Sequence, residues 1–162
     1  MVEVQDSAAV AQNPHPRPTS KRCELLRWRD DAAYDGPVLA FADFDGDSNA
    51  AAVRVDPADD ARALLPHLAR LRLIEVSFPK YRDGRGYSAA RILREAGYAG
   101  ELRAAGDVLI DQVAFMRRVG FDSLAPAKPL DADEVAVALA RYPYVYQKAA
   151  DGALPVWALR HG

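Results

Sequence analysis

Cysteine and histidine are scarce in this sequence, and each shortage excludes a kind of chemistry. Among 162 residues there is one cysteine, Cys23, so the chain cannot form an intramolecular disulfide. A single free thiol is typical of a reducing cytoplasm, where we expect the protein to lie. The histidines are His15, His67 and His161. They provide neither a Ser/His/Asp set nor a cluster of metal ligands, so we expect no metal site.

The sequence also lacks the motifs that mark common cofactor sites. It contains no dinucleotide-binding fingerprint, no Walker loop and no paired-carboxylate arrangement, so we expect no cofactor. The net charge is -2, whereas nucleic-acid binding usually needs a strongly basic face, so we expect no nucleic-acid partner. No apolar run is long enough to cross a bilayer, and residues 1–6 lack the features of a signal peptide. We therefore expect neither a membrane span nor a signal peptide.

The composition fits one folded domain with tails. Half of the residues are hydrophobic, which is enough to form a core in a chain of this length. Residues 1–20 hold three prolines and few large apolar groups, so we predict a disordered tail there. We assign residues 21–150 to a single α/β domain and residues 151–162 to a C-terminal tail.

Apolar runs alternate with helical patterns over most of that domain. The predicted strands cover 73–76, 101–104 and 122–124, and the predicted helices cover 89–96, 108–119 and 132–140. Such alternation is typical of a mostly parallel sheet with right-handed crossovers. We favour an open three-layer sheet, with part of a barrel as the alternative. Upstream, strands at 37–41 and 51–55 flank an acidic turn and predict an N-terminal hairpin.

The stretch 78–88 carries the most concentrated chemistry of the chain. It follows the strand at 73–76, and α/β folds keep their sites in loops at the carboxyl ends of strands. Ser88 is the predicted N-cap of the helix at 89–96, and Tyr87 is predicted to pack on Ile92 as a hydrophobic staple. Arg91 then falls in the first turn, where a cation opposes the helix dipole. In addition to this arginine, the stretch itself contains three cations, one carboxylate and two permissive glycines: Lys80, Arg82, Arg85, Asp83, Gly84 and Gly86.

This accumulation of positive charge predicts a negative group nearby. The first hypothesis is that a small oxyanion or an acidic partner surface binds to Lys80, Arg82, Arg85 and the backbone amides of residues 86–88. The alternative is that the chain neutralises itself. Carboxylates available for such a salt-bridge network are Asp83, Glu75 and Glu95.

The loop after the next strand should form a second wall beside this stretch. It contains Gly106 and Asp107, and Asp107 either caps the following helix or acts in catalysis. Gln112 lies in the helical stripe of Leu109, Val113 and Met116, which is predicted to be buried. A buried amide needs partners, so Gln112 is expected to tie the two loops together or to reach a ligand.

Ordered motifs over residues 52–147 resemble a known family. The residues that carry the resemblance are Phe78-Pro79, residues 83–88, Ala90-Arg91, Leu93-Arg94-Glu95, residues 100–104, residues 106–109, Asp111-Gln112, Met116-Arg117-Arg118, Gly120-Phe121-Asp122 and Tyr146-Gln147. In this order and spacing they resemble the bacterial domain-of-unknown-function family 934. Where that family often has a cysteine before Gly-Phe-Asp, this chain has Val119.

The resemblance implies a role in sulfur assimilation. Members are usually encoded beside the hemoprotein of assimilatory sulfite reductase and are sometimes labelled oxidoreductases. The resemblance therefore implies an accessory protein of sulfate or sulfite reduction, with that hemoprotein as a partner, but it supplies no catalytic residues. In this hypothesis Asp83, Asp107 and Gln112 orient the basic loop.

Two alternatives remain open at this point. One is a small enzyme acting on an anionic sulfur metabolite, with Asp107 or Lys80 as the acid or base and Arg85 as the anion clamp. Such an enzyme requires Asp107 and Arg85 to converge in a concave pocket. The other is a purely structural interaction domain whose loop is neutralised internally.

Overall fold

The fold is known from a computed structural model that describes residues 22–23, 25–46 and 48–160. The predicted tail over residues 1–20 lies outside the described residues. The strands are β1 Arg22–Cys23, β2 Leu26–Arg27, β3 Leu39–Ala40, β4 Ala52–Val55, β5 Leu73–Phe78, β6 Glu101–Gly106, β7 Ser123–Pro126 and β8 Leu130–Asp131. The α-helices are α1 Arg85–Glu95, α2 Val113–Val119, α3 Ala132–Ala140 and α4 Val156–Leu159. Short 3-10 helices cover Phe41–Asp43, Ala61–His67 and Ile110–Gln112.

Six strands form one open, mostly parallel sheet, as predicted. Their spatial order is β2-β7-β6-β5-β4-β3, so β3 to β7 are parallel and stand in the order in which they occur along the chain. β2 adds an antiparallel strand at one edge, and β1 pairs with β8 in a separate two-stranded ribbon. The α/β class and the open sheet are therefore confirmed.

The predicted N-terminal hairpin needs a correction. Its two strands, β3 and β4, are neighbours as expected, but Leu39 pairs with Val53 and Ala40 with Arg54 in a parallel register. The connection between them is therefore a crossover that contains the 3-10 helix Phe41–Asp43, rather than a hairpin turn. The pairing of β4 with β5 is also parallel, so β3 continues the parallel part of the sheet, and the local sequence does not reveal this direction.

The two faces of the sheet differ in chemistry. One face is apolar, and its core side chains pack with those of the helices. The opposite face carries Arg54, Glu75 and Arg103 at paired positions of three neighbouring strands. The N-terminal segment lies against this second face, where Arg103 donates a hydrogen bond to the carbonyl of Tyr34 at 3.2 Å. The layer on that side is thus an irregular segment rather than a layer of helices.

Helix α1 begins earlier than the sequence pattern predicts. Its first residue is Arg85 and its N-cap is Gly84, so the assignments of Ser88 as N-cap and of Arg91 to the first turn are wrong. The cause lies in two contacts. The Asp83 carboxylate accepts a hydrogen bond from the Arg85 amide at 3.2 Å, and Gly86 lies so close to Phe78 that an added Cβ would meet its ring at 2.5 Å.

Helix α2 begins later than predicted, at Val113 rather than at 108. The intervening residues form the 3-10 helix Ile110–Gln112, and Leu109 is 36% exposed, so the predicted buried stripe holds only for Val113 and Met116. Gln112 is half-buried. Helix α3 has the predicted bounds, and the Asp131 carboxylate caps it by accepting hydrogen bonds from the amides of Asp133 and Glu134.

The carboxyl-terminal residues dock onto α2. Arg118 pairs with Asp151 at 3.1 Å and donates to the carbonyl of Gln147 at 2.8 Å, while its own carbonyl accepts from the amide of Ala150. A short helix, α4, follows.

In the part of the chain that the structure describes, no helix is long and apolar enough to cross a membrane.

Candidate functional site

The loop between β5 and α1 is held in place by the loop that follows β6. The carboxylate of Asp107 accepts a hydrogen bond from the backbone amide of Tyr81 at 3.0 Å. The side-chain amide of Gln112 donates to the carbonyl of the same Tyr81 at 2.8 Å, and its oxygen accepts from the amide of Leu109. Both polar groups of the Tyr81 backbone therefore have partners on the neighbouring loop, which fixes the path of residues 79–84.

Gly106 brings the two loops together. Its φ is +114°, and a Cβ at this position would lie 2.4 Å from the carbonyl oxygen of Phe78. This close approach lets the amide of Asp107 donate to the same carbonyl at 2.7 Å. The carbonyl of Gly106 in turn accepts from the amide of Ala127 at 2.7 Å. The segments that follow β5, β6 and β7 are therefore hydrogen-bonded to one another at the carboxyl ends of these strands.

Asp83 and Arg85 neutralise each other. Two parallel hydrogen bonds, of 2.9 and 2.7 Å, join the guanidinium of Arg85 to the carboxylate of Asp83. These bonds from the side chain and the backbone of Arg85 lower the pKa of Asp83 to about 2. The Arg85 side chain is nevertheless 65% exposed, so this ion pair stands at the surface of the loop.

The other two cations of the loop have no carboxylate partner among the described residues. Arg82 lies over the ring of Tyr81, with the guanidinium carbon 5.2 Å from the ring centre, and its Nε donates to the phenolic oxygen at 2.7 Å. Lys80 is exposed, and no hydrogen bond or ion pair of this side chain occurs within the part of the chain that the structure describes. The loop therefore presents a basic surface.

The remaining predicted residues belong to helix α1 and have other partners. Arg91 pairs with Glu95 at 2.7 Å on an exposed helix face. The ring of Tyr87 lies between those of Phe78 and Phe115, at centroid distances of 5.3 and 5.1 Å, so the predicted staple with Ile92 is replaced by aromatic packing. Ser88 is exposed in the second turn, and Gly86 is buried.

Asp107 and Arg85 are engaged separately. The carboxylate of Asp107 bonds the Tyr81 amide, and the guanidinium of Arg85 bonds Asp83. A groove of about 450 Å³ lies instead beside α2, and a shallower one of about 570 Å³ lies beside Tyr98 and Gly100. Neither groove is lined by residues of the loop.

Glu75, which was available in sequence to neutralise the basic loop, instead joins a network of charged residues on the second face of the sheet. Glu75 pairs with Arg54 at 2.7 Å and lies 3.9 Å from Arg103. Arg103 also bonds Glu101, which accepts from the hydroxyl of Ser123 at 2.6 Å. Burial raises the pKa of Glu101, but the bonds from Ser123, Arg103 and Arg27 outweigh it, so the pKa lies below its usual value. In the sequence, charged residues at alternate positions of otherwise apolar strands were the signal that could have indicated this network. This network takes Glu75 away from the basic loop.

A second cluster lies at the amino ends of the strands, where β6 and β7 begin. The guanidinium of Arg94 bonds the carboxylate of Asp122 and donates to the carbonyls of Gly120, Tyr98 and Gly100. The same carboxylate accepts from the amide of Leu102 at 2.9 Å. The Gly-Phe-Asp motif therefore has a structural role at the start of β7, far from the loop that follows β5.

The fold and site define an open α/β domain that carries a basic loop fixed by hydrogen bonds at the carboxyl edge of its sheet. The chain belongs to the family described as "bacterial protein of unknown function (DUF934)", whose family model matches residues 52–157. The match includes the fixed loop, the network on the sheet and the Arg94–Asp122 cluster. No curated protein and no solved structure matches the chain.

Proposed function

We propose that this protein is an accessory protein of assimilatory sulfate or sulfite reduction and that its basic loop binds an acidic surface of a partner protein. The observation that supports the binding is the fixed backbone of Tyr81 beneath exposed cations. Asp107 and Gln112 hold the loop, while the side chains of Lys80, Arg82 and Arg85 face solvent. A loop that is ordered before binding loses less conformational entropy when the partner arrives.

A broad acidic surface suits this loop better than one small oxyanion. Tight binding of an oxyanion needs several donors that converge on one point. Here Arg85 is turned to Asp83 and Arg82 to the ring of Tyr81, which leaves the charges spread along the surface. Spread charges steer an acidic partner and accelerate its association, because long-range attraction does not require convergent geometry.

The pathway and the partner come from the family resemblance. The hemoprotein of assimilatory sulfite reductase is the proposed partner, and the cytoplasm is the proposed location. The chain itself carries no redox-active cysteine pair, since Cys23 is its single cysteine, so we propose a binding role rather than electron transfer by its own thiols.

Binding kinetics with the purified hemoprotein test the proposal. We expect association that slows with added salt, and slows by about tenfold when Lys80 and Arg82 are both changed to Glu. Arg70→Glu is the matched control. Arg70 is an exposed cation in the turn before β5, so it lies at the amino ends of the strands, away from the basic loop at their carboxyl ends. Absence of binding by the unmodified chain, or an equal loss in the control, would reject the proposed contact.

Growth tests the pathway separately. A deletion strain should grow on sulfide but poorly on sulfate or sulfite, and the unmodified gene should restore growth. The double variant Lys80→Glu/Arg82→Glu should restore it less well than Arg70→Glu. A deletion strain that grows equally on all three sulfur sources would reject the role in sulfur assimilation, whatever the binding experiment shows.

A further inference from the structure

Exposed aromatic rings are concentrated in one part of the described chain. Five of them, here called the aromatic surface, are between 48% and 76% exposed: Phe115, Tyr142, Tyr144, Tyr146 and Trp157. Exposed aliphatic side chains accompany them in α3 and the carboxyl-terminal segment, namely Val137, Leu154 and Leu159. Single exposed apolar residues are ordinary, but a concentration of this kind marks an interaction site.

The backbone beneath the aromatic surface is held in place. Val145 is half-buried between the two exposed tyrosines that flank it, and its carbonyl accepts from the amide of Val156 at 2.8 Å. The indole of Trp157 donates to the carbonyl of Tyr146 at 3.1 Å. Gln147 is fixed to α2 through its carbonyl and Arg118. The rings therefore stand on an ordered segment, which limits the entropy lost when they bind.

A groove lies beside the aromatic surface and can take an apolar side chain. Its volume is about 450 Å³, and its apolar walls are Phe115, Leu139, Tyr142 and Val145. Such a pocket next to exposed tyrosines has the composition of an interface centre, where aromatic residues and arginine dominate binding energy.

The exposed cations that lie beside the residues of the aromatic surface in the sequence are here called its rim. Arg117, Arg141, Lys148 and Arg160 are exposed, and none has a carboxylate partner within the described residues. Arg117 and Lys148 lie over the rings of Trp28 and Trp157, at 5.8 Å each. Of the acids that line the groove, Asp151 is already bonded to Arg118, so only Asp111 opposes the four cations.

We infer that the aromatic surface binds an acidic segment of another protein, with an apolar side chain of that segment in the groove. The charge of the rim favours this occupant, because its carboxylates would meet the unpaired cations. A second copy of this chain fits less well, since a two-fold interface would bring like-charged rims together. Single-stranded nucleic acid also stacks on aromatic rings, but it offers no apolar side chain for the groove or for the exposed Leu154 and Leu159.

This inference goes beyond the proposed function. It concerns residues 111–118 and 137–160, whereas the proposed function rests on residues 80–85. Binding to the aromatic surface does not require sulfite reductase, and loss of one contact leaves the other intact.

A library of short random peptides displayed on phage tests the inference, with the full chain as bait. We expect selected peptides to combine Asp or Glu with a large apolar residue, and their synthetic forms to bind less tightly in high salt. The double variant Tyr144→Ala/Tyr146→Ala should weaken that binding by about tenfold or more. Arg141→Glu should weaken it as well.

Control variants keep the test specific. Leu65→Ala changes an exposed apolar side chain elsewhere, and Arg70→Glu changes an exposed cation elsewhere, so both should bind like the unmodified chain. Both tyrosines are more than 70% exposed, and an unchanged circular dichroism spectrum and melting temperature would show that the fold is intact.

The inference is overturned if no peptide is enriched, if enriched peptides lack acidic residues, or if the double variant binds them unchanged. It is likewise overturned if ultracentrifugation shows self-association that the double variant abolishes, or if a single-stranded oligonucleotide binds more tightly than the peptides.

Discussion

The carboxylate of Asp107 accepts a hydrogen bond from the backbone amide of Tyr81 at 3.0 Å, although the two residues are 26 positions apart. The loop after β5 is thus fixed by the first residue after β6. Parallel pairing makes this contact available, because Phe78 and Gly106 are register partners at the ends of the two strands. The position of the basic surface therefore depends on a residue outside the loop.

Replacement of Asp107 should loosen the loop. We expect Asp107→Ala to destabilise the protein by about 1–2 kcal/mol, because the amide of Tyr81 loses its acceptor. Asp107→Asn keeps an oxygen in the same place and should cost less. Urea unfolding gives the free energy, and hydrogen exchange at the Tyr81 amide gives the local effect. If that amide is equally protected in Asp107→Ala, Asp107 does not hold the loop.

A methyl group at Gly106 should be poorly tolerated. Alanine there would combine a φ of +114° with a Cβ only 2.4 Å from the carbonyl oxygen of Phe78. Because the obstacle is backbone, strand β5 or β6 must move, and we expect Gly106→Ala to cost about 3 kcal/mol or more. Thermal or urea unfolding measures this loss.

Gly84→Ala is the matched control for that substitution. Gly84 precedes α1 with a φ of -76°, and a Cβ there meets nothing within 4 Å. The expected change in unfolding free energy is within about 0.5 kcal/mol. Equal stability of the two variants would show that the loops can separate without cost.

The sequence was informative where periodicity and strand order decide the structure. Strands β5, β6 and β7 follow the predicted apolar runs, and α3 covers the predicted residues 132–140. The two loops were expected to be neighbours because parallel strands end at the same edge of a sheet. Gln112 was expected to tie those loops or to reach a ligand, and it bonds Tyr81.

Contacts between distant residues explain what the sequence did not reveal. The start of α1 was misplaced because Ser88 fits a capping pattern, whereas the contact of Gly86 with Phe78 brings the helix closer to the sheet. The partner of each cation depends on which carboxylate the fold brings near, so the diversion of Glu75 to Arg54 was not visible locally. The direction of β3 likewise depends on long-range pairing.

Loss of the Asp122 carboxylate should be costly. The Arg94 and Asp122 side chains are only 16% and 21% exposed, so in Asp122→Ala the guanidinium of Arg94 would stay largely out of water without its counter-ion. We expect a loss of about 3 kcal/mol or more in urea unfolding. Glu95→Ala is the comparison, because the side chains of Glu95 and Arg91 are 63% and 76% exposed and water screens their attraction, so loss of this pair should cost far less. Similar losses in the two variants would contradict a structural role for the cluster.

The pair of Asp83 and Arg85 makes the first turn of α1 sensitive to acid. Its hydrogen bonds with Arg85 lower the pKa of Asp83 from 3.8 to about 2. A lowered carboxyl pKa means that the stabilisation is complete above about pH 4 and is lost as the pH falls through about 2. Carboxyl carbon NMR shifts, followed over this range, should show Asp83 titrating near pH 2.

Arg85→Gln tests whether the guanidinium causes this shift. Without the charge and the two parallel bonds, the pKa of Asp83 should move back toward 3.8, while Arg91→Gln should leave it unchanged because Arg91 pairs with Glu95. An unchanged titration in Arg85→Gln would mean that the pair does not persist in solution. The guanidinium of Arg85 would then be available for a direct contact with an acidic partner, although the net charge of the loop, and with it the long-range attraction, would stay the same.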